Sequence, residues 1–164
     1  METIIPLLNT ERQNLYDTDY LHWIETNLQK MRDRDYASID WENLIEEIED
    51  MGKRERRSIE SHLIVVLLHL LKWQFQPERR SGSWECSIIE HRRRIRKGLK
   101  DSPSLQPYFE TILSECYIDA VKQAKAETNL PLITFPVECP YHLTEVMDDD
   151  FLPDREREVE GEIS

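Results

Sequence analysis

An apolar stripe that follows the helical repeat from Trp41 to Trp73 is the strongest constraint on how this chain folds. Around residues 64–71 the apolar side chains cover every side of the helix rather than one face. Such a segment packs against neighbours in several directions, so we predict that it forms the centre of the core. The stripe consists of Trp41, Ile45, Ile48, Gly52, Ile59, Leu63, Val66, Leu70 and Trp73.

The ends of this helix are marked by a capping residue and a helix breaker. Asp40 is a preferred N-cap residue, and Pro77 cannot continue a helix. An unbroken helix over Trp41–Gln76 would be roughly 54 Å long at 1.5 Å per residue, which is longer than a compact domain of this size is across. The helix therefore either bends near Gly52 or projects into a partner.

Three further amphipathic segments accompany this helix in the predicted fold. They extend over Tyr20–Met31, Trp84–Lys100 and Leu105–Ala124, and a short helix follows at Leu143–Met147. The chain has only four glycines, and strong helix formers dominate a composition in which 33% of residues are charged. The predicted fold is all-α, a helical bundle of four main helices plus a short C-terminal helix and an acidic tail.

The domain organisation follows from length and periodicity. At 164 residues the chain lies in the range of a single domain. Residues 1–15 lack sustained periodicity, and residues 154–164 are acidic with few apolar side chains. We therefore predict a flexible N-terminal arm at 1–15, a single helical domain at 16–153 and a disordered acidic tail at 154–164.

Cysteine usage and hydropathy indicate the compartment. Cys86, Cys116 and Cys139 are an odd number, and their spacings fit neither a disulfide framework nor a zinc site. The chain does not open with a basic segment followed by an apolar one, and its longest apolar run, Leu63–Leu71, is short. We expect a cytoplasmic protein that does not span a membrane.

Several strings between Tyr16 and Pro153 occur together in a pattern typical of one family. They are Ile39-Asp40-Trp41-Glu42-Asn43-Leu44, Glu46-Glu47-Ile48-Glu49, Leu70-Leu71-Lys72-Trp73-Gln74, Ser102-Pro103-Ser104-Leu105, Cys139-Pro140-Tyr141 and Phe151-Leu152-Pro153. In this combination the chain resembles the bacterial family of domains of unknown function numbered twenty-nine, which is widespread in cyanobacteria. The resemblance implies an all-helical fold in a bacterial cytoplasm, and it supplies no activity and no catalytic residue. His142 stands where the family has Thr or Ser after Cys-Pro-Tyr, so the helix cap there is weaker.

A basic run on the third predicted helix contains the main polar candidate. Arg92 falls inside the apolar stripe of that helix, where an uncompensated charge would cost several kcal/mol. A carboxylate from another helix is the expected partner, so we predict an inter-helix ion-pair network of Glu46 and Glu49 with Arg92 and Arg96. The full candidate polar cluster is Glu46, Glu49, His69, Arg92 and Arg96.

The outward side of the same helix carries a candidate basic surface, which consists of Arg93, Arg94, Lys97 and Lys100. Clustered arginines can bind phosphate, and interleaved aromatic side chains would indicate RNA. No aromatic residue lies between Trp84 and Tyr108, and the net charge of the chain is −12. Nucleic-acid binding is therefore disfavoured.

No pattern of metal ligands or catalytic residues stands out. Helical di-metal sites use Glu-x-x-His pairs, and that spacing does not occur in the chain. His62 and His69 are two turns apart, about 10.5 Å along the helix axis, so they cannot chelate one ion. We therefore expect no metal, no cofactor and no catalytic residue.

The function that this pattern favours is binding rather than catalysis. The long apolar helix and the missing catalytic motif predict a non-enzymatic helical module that binds another protein or a second copy of itself. The alternative hypothesis is an enzyme or a nucleic-acid-associated factor that uses Glu49, His69 and Arg92. That alternative requires these three side chains to converge in an open cleft.

Overall fold

The computed structural model describes residues 15–153, and within this range the fold is helical without a β-strand. Helices α1 to α6 cover, in order, Tyr20–Arg32, Trp41–Phe75, Gly82–Asp101, Gln106–Phe109, Leu113–Thr128 and Leu143–Val146. The all-α prediction is confirmed, with four main helices and a short C-terminal one. The predicted arm at 1–15, apart from Leu15, and the predicted tail at 154–164 lie outside the described residues.

The chain divides into two compact units, Met1–Lys53 and Arg54–Ser164. Helix α2 belongs to both units, and it is continuous through Gly52. The single domain expected over 16–153 stays a prediction. None of the helices among residues 15–153 combines the length and the apolar character that crossing a bilayer requires.

The described part of the first unit is a helical hairpin. Helix α1 ends in a reversal at which Asp35 N–H donates to Lys30 O at 2.9 Å and Arg34 N–H donates to Met31 O at 3.1 Å. This pair of bonds is the Schellman arrangement, and it places Arg34 in the left-handed region with φ of 58°. A short 3-10 turn at Tyr36–Ser38 then leads into α2.

Side-chain hydrogen bonds tie the two helices of this hairpin together. The indole of Trp23, which is buried, donates from Nε1 to Asp40 Oδ2 at 2.9 Å. Asn27 donates from Nδ2 to Trp23 O and accepts from Asp40 N–H, both at 2.9 Å. Tyr16 and Tyr20 each donate to a different carboxylate oxygen of Glu47 at 2.7 Å. The contacts that hold the hairpin are therefore largely polar.

The core of the second unit is built around the later part of α2. Leu63, Val66, Leu67, Leu70 and Leu71 are each 0% exposed, whereas Ile64, Val65 and His69 are half-buried. The predicted central segment is therefore buried around most, but not all, of its circumference. The buried residues that surround it are Ile88, Ile95, Leu105, Phe109, Ile112, Cys116, Tyr117, Ala120, Val121, Ala124, Phe135, Tyr141 and Val146. Burial of this apolar surface is the main stabilising term of the unit.

The single helix predicted over Leu105–Ala124 is wrong, because the structure divides it into α4 and α5. Thr111 N–H and Thr111 Oγ1 both donate to Tyr108 O, at 2.9 and 2.7 Å. A threonine that bonds three residues back competes with the helical ladder, and the chain turns at residues 110–112. Phe109 and Ile112 remain buried on either side of this turn.

Candidate functional site

Arg92 on α3 is the most deeply buried charged residue of the predicted polar cluster, at 1% exposure. Its Nε donates to Val146 O at 2.7 Å, Nη2 donates to Phe151 O at 3.0 Å, and Nη1 donates to Asp149 O at 3.5 Å. Burial lowers the pKa of this guanidinium, and the nearby carboxylate of Asp149 opposes that shift. The required compensation thus comes from backbone carbonyls.

Arg96 lies one turn further along α3 and contacts the same C-terminal segment. Its Nη2 donates to Met147 O at 2.6 Å and to Asp149 Oδ1 at 2.7 Å. Arg92 and Arg96 together therefore hold residues 146–151 against α3. Every residue has a backbone carbonyl, so a sequence pattern cannot indicate which carbonyls will bind an arginine.

Glu46 and Glu49 lie on α2 in the first unit, and both are exposed. Arg92, Arg96 and His69 belong to the second unit, where the hydrogen bonds of both arginines run to residues 146–151. The ion pairs of Glu46 and Glu49 with these arginines stay a prediction.

Two carboxylates of the same helix pair with three of the four cations of the candidate basic surface on α3. Arg93 Nε and Arg94 Nε both bind Glu90, at 2.8 and 2.7 Å, and they lower the pKa of that carboxyl to about 2. Lys97 pairs with Asp101 one turn away. Lys100 is exposed near the end of the helix. Ion pairs within the helix thus engage Arg93, Arg94 and Lys97, and the expectation that this surface binds no nucleic acid stays a prediction.

The histidines of the second unit form contacts that fix their ring nitrogens. His69 Nδ1 lies 2.9 Å from Val65 O and donates to it. The Nδ1 atoms of His62 and His91 lie 2.9 Å apart, so one ring donates and the other accepts. Burial is the main cause that lowers the pKa of each of the three imidazoles. The sequence pattern placed His62 and His69 too far apart to chelate one ion, and it did not indicate that His91, on α3, contacts His62.

Metal ligands and nucleophiles are the remaining groups that could carry chemistry. No set of three or more His, Cys, Asp or Glu side chains among residues 15–153 is arranged to hold a metal ion. Burial raises the pKa of the Cys116 thiol to about 12, which keeps the sulfur protonated and unreactive.

The first unit exposes an apolar surface that we call the hairpin face. It consists of Leu21, Ile24, Leu28, Trp41, Ile45, Ile48 and Met51, whose exposed fractions range from 37% to 64%. The stripe of α2 that the sequence predicts is thus buried from Ile59 onward and exposed before Gly52. Single exposed apolar side chains are ordinary on a protein surface, whereas larger exposed apolar patches often mark interaction sites.

Comparison with known proteins identifies a family and nothing more specific. Residues 15–152 match the family model described as "Domain of unknown function DUF29". No curated protein and no solved structure shows significant similarity to the chain.

Proposed function

Because the chain belongs to the DUF29 family of domains of unknown function, we propose a function from its geometry, namely that it is a helical self-association module. The hairpin face of one copy pairs with the hairpin face of a second copy. The observation that carries this proposal is the exposed apolar surface on a hairpin with almost no core of its own.

The small core of the hairpin is the first argument for a second copy. Among residues 15–53 only Trp23, Asn27 and Ile39 are buried. The first unit has 53 residues, and units of this size are only marginally stable on their own because they bury little surface. A second copy would provide the missing apolar partner for Ile45 and Ile48.

The spacing on the hairpin face is that of a bundle seam. On α1, Leu21, Ile24 and Leu28 are three and four residues apart, and on α2 the exposed stripe continues from Ile45 to Ile48 and Met51. Such spacings place side chains along one side of a helix and allow them to interdigitate with a facing helix. Two hairpins joined through these seams form a four-helix bundle.

The exposed area is sufficient for a specific interface. The seven side chains of the hairpin face leave roughly 700 Å² exposed on each copy, so that a symmetric pair would bury roughly 1,400 Å², within the range of specific interfaces. Most of this surface is aliphatic, which suits an interface that replaces a missing core.

The direct test is the oligomeric state of the full chain by analytical ultracentrifugation. The wild type should sediment as a concentration-dependent dimer. Ile48→Glu introduces a charge into the centre of the hairpin face and should raise the dimer dissociation constant at least tenfold. Ile89→Glu changes an isoleucine of similar exposure on α3 and should leave that constant unchanged.

Circular dichroism separates loss of association from loss of folding, since the helical content of Ile48→Glu should match that of the wild type at concentrations where the wild type is monomeric. A wild type that remains monomeric at every concentration would refute self-association. Equal dissociation constants for the wild type and Ile48→Glu would refute the proposed surface.

The alternative of an enzyme or nucleic-acid-associated factor built on Glu49, His69 and Arg92 has less support. Arg92 is buried, and its Nε, Nη1 and Nη2 atoms already donate to carbonyl oxygens. His69 uses Nδ1 for a bond within its own helix. These contacts favour a structural role for both residues.

A further inference from the structure

The second unit contains an open apolar groove, which we call the α5 groove. Its walls are one side of α5 and the segment 132–137, and it encloses about 670 Å³. It is lined by Tyr117, Ile118, Val121, Lys122, Leu132, Ile133, Phe135, Pro136 and Val137. Lys122 contributes the only charged side chain of this lining. A volume of this size is typical of small-molecule sites.

Contacts on the buried side of the groove fix the position of the segment 132–137. Tyr117 OH donates to Pro136 O at 2.7 Å, which ties the segment 132–137 to α5. Phe135 is buried at 4% exposure and packs edge-on against Phe75, with ring centroids 5.5 Å apart. The exposed rim, by contrast, includes Ile133 at 93% and Val137 at 96%. The anchored wall presents this apolar surface to a ligand instead of collapsing onto α5.

A second cavity, of about 520 Å³, adjoins the α5 groove and shares Lys122 with it. Its lining consists of Lys122, Lys125, Ala126, Asn129 and Leu130. Asn129 ends α5 in the left-handed conformation, and its amide side chain is exposed at this end of the helix. The apolar α5 groove therefore adjoins, at Lys122, a second cavity whose lining includes two lysines and an asparagine.

From this juxtaposition we propose that the second unit binds a single-chain amphiphile with an anionic head group, such as a long-chain carboxylate. The chain lies in the α5 groove against Ile118 and Val121. The carboxylate binds the ammonium groups of Lys122 and Lys125. Lys122 now pairs with Asp119 at 2.8 Å, and both partners of that pair are exposed, so a ligand carboxylate can replace Asp119 at low cost.

Charge determines which amphiphile fits. A cationic head group would face two lysines, and a neutral one would form no ion pair with them. An anionic bilayer presents many negative charges to a chain whose net charge is −12, so it is repelled more strongly than a single carboxylate is. The ligand is therefore a free amphiphile rather than a membrane. This inference concerns the second unit alone and goes beyond the proposed self-association.

The test is isothermal titration of the full chain with dodecanoate below its micelle concentration. One dodecanoate should bind per chain. The double variant Lys122→Ala, Lys125→Ala and the single variant Ile118→Asp should each weaken binding at least tenfold, since they remove the head-group and chain contacts respectively. The double variant Lys97→Ala, Lys100→Ala on α3 is the matched control and should bind like the wild type.

Any one of the following outcomes would overturn the proposal. Dodecanoate could fail to bind or could bind at several sites per chain, or dodecyltrimethylammonium could bind as tightly as dodecanoate. The lysine variant on α5 could retain wild-type affinity. Co-sedimentation with vesicles of anionic lipid, without binding of free dodecanoate, would assign the surface to membranes instead. Ile48→Glu should bind dodecanoate like the wild type, so failure of this proposal and failure of self-association are distinguishable.

Discussion

A buried guanidinium is stable only when its N–H groups meet acceptors. At Arg92 the acceptors are the carbonyls of Val146, the last residue of α6, and of Asp149 and Phe151, which follow it. The rigid fork of an arginine reaches several acceptors at once, which an ammonium group on a flexible stem does not. The C-terminal segment of the second unit is thus held by a side chain rather than by an apolar contact alone.

We therefore expect Arg92→Met to lower the free energy of unfolding by about 3 kcal/mol, because several buried carbonyls lose their donor together. Arg92→Lys should recover only part of this loss. Urea unfolding followed by circular dichroism measures both. Arg93→Met, at an exposed position in the same helix, should change stability by less than about 1 kcal/mol. Equal effects at positions 92 and 93 would contradict the assigned role.

The histidine pair predicts how stability depends on pH. Burial lowers the pKa of His62 and His91, and Arg94 acts on both rings in the same direction while Glu90 opposes it. His69 lowers the pKa of His91 further. A lowered pKa means that the folded chain binds fewer protons than the unfolded chain. The neutral histidine pair therefore contributes its full stabilisation at pH values above the unfolded pKa of about 6.5. This stabilisation is lost as the pH falls below that value.

The measurement is the free energy of unfolding at pH 7.5 and pH 5.5. We expect the wild type to be less stable at the lower pH. The double variant His62→Gln, His91→Gln should lose a smaller share of its stability over that interval. His22→Gln, at an exposed position, is the control and should follow the wild type. A steeper loss in the double variant would rule out the proposed contribution of the pair.

At the scale of elements, two reversals of the chain depend on residues in the left-handed region. Asn129 ends α5 with φ of 56°, a conformation that asparagine tolerates well. Arg34 ends α1 with φ of 58° and has a side chain that disfavours this conformation. The hairpin therefore retains some backbone strain at its turn.

Arg34→Gly should relieve this strain and raise the free energy of unfolding by up to about 1 kcal/mol. Arg34→Val should lower it, because a β-branched residue is the least suited to positive φ. Thermal and urea unfolding of the two variants and the wild type test the order. A glycine variant less stable than the valine variant would contradict the assigned conformation.

At the scale of the whole molecule, charge distinguishes a second copy from a basic partner on the hairpin face. Residues 15–53 contain 11 acidic and 4 basic side chains. Two such units repel each other in a symmetric pair, and added salt screens that repulsion. A cationic partner would be attracted to the same surface, and salt would weaken its binding.

We expect the dissociation constant of the dimer to fall several-fold between 0.05 M and 0.5 M salt, because at the higher concentration the Debye length drops to a few ångströms. Sedimentation equilibrium at both concentrations measures the change. Ile89→Glu again provides the control, with the same salt response as the wild type. A dimer that dissociates as salt increases would point instead to an interface held by ion pairs.

The features that the sequence determined by itself are those with local causes. Hydrophobic periodicity and caps placed the ends of α2 and α3 close to their observed positions, and the all-round apolar segment identified Leu63–Leu71 as the core. The same periodicity placed Arg92 on the buried face. These inferences succeed because side chains three and four residues apart share one side of a helix wherever that helix packs.

Tertiary structure decided which partners these faces meet. The carbonyls that bind Arg92, the ring of His91 against His62, and the exposure of Ile45 and Ile48 all depend on which distant segments lie close in space. An apolar stripe has the same sequence pattern whether a neighbouring helix or water covers it. A backbone carbonyl is present in every residue, so no sequence pattern distinguishes the ones that act as acceptors. For this reason the sequence predicted an association surface without placing it, and only the folded chain shows that the apolar side chains of the hairpin face are exposed.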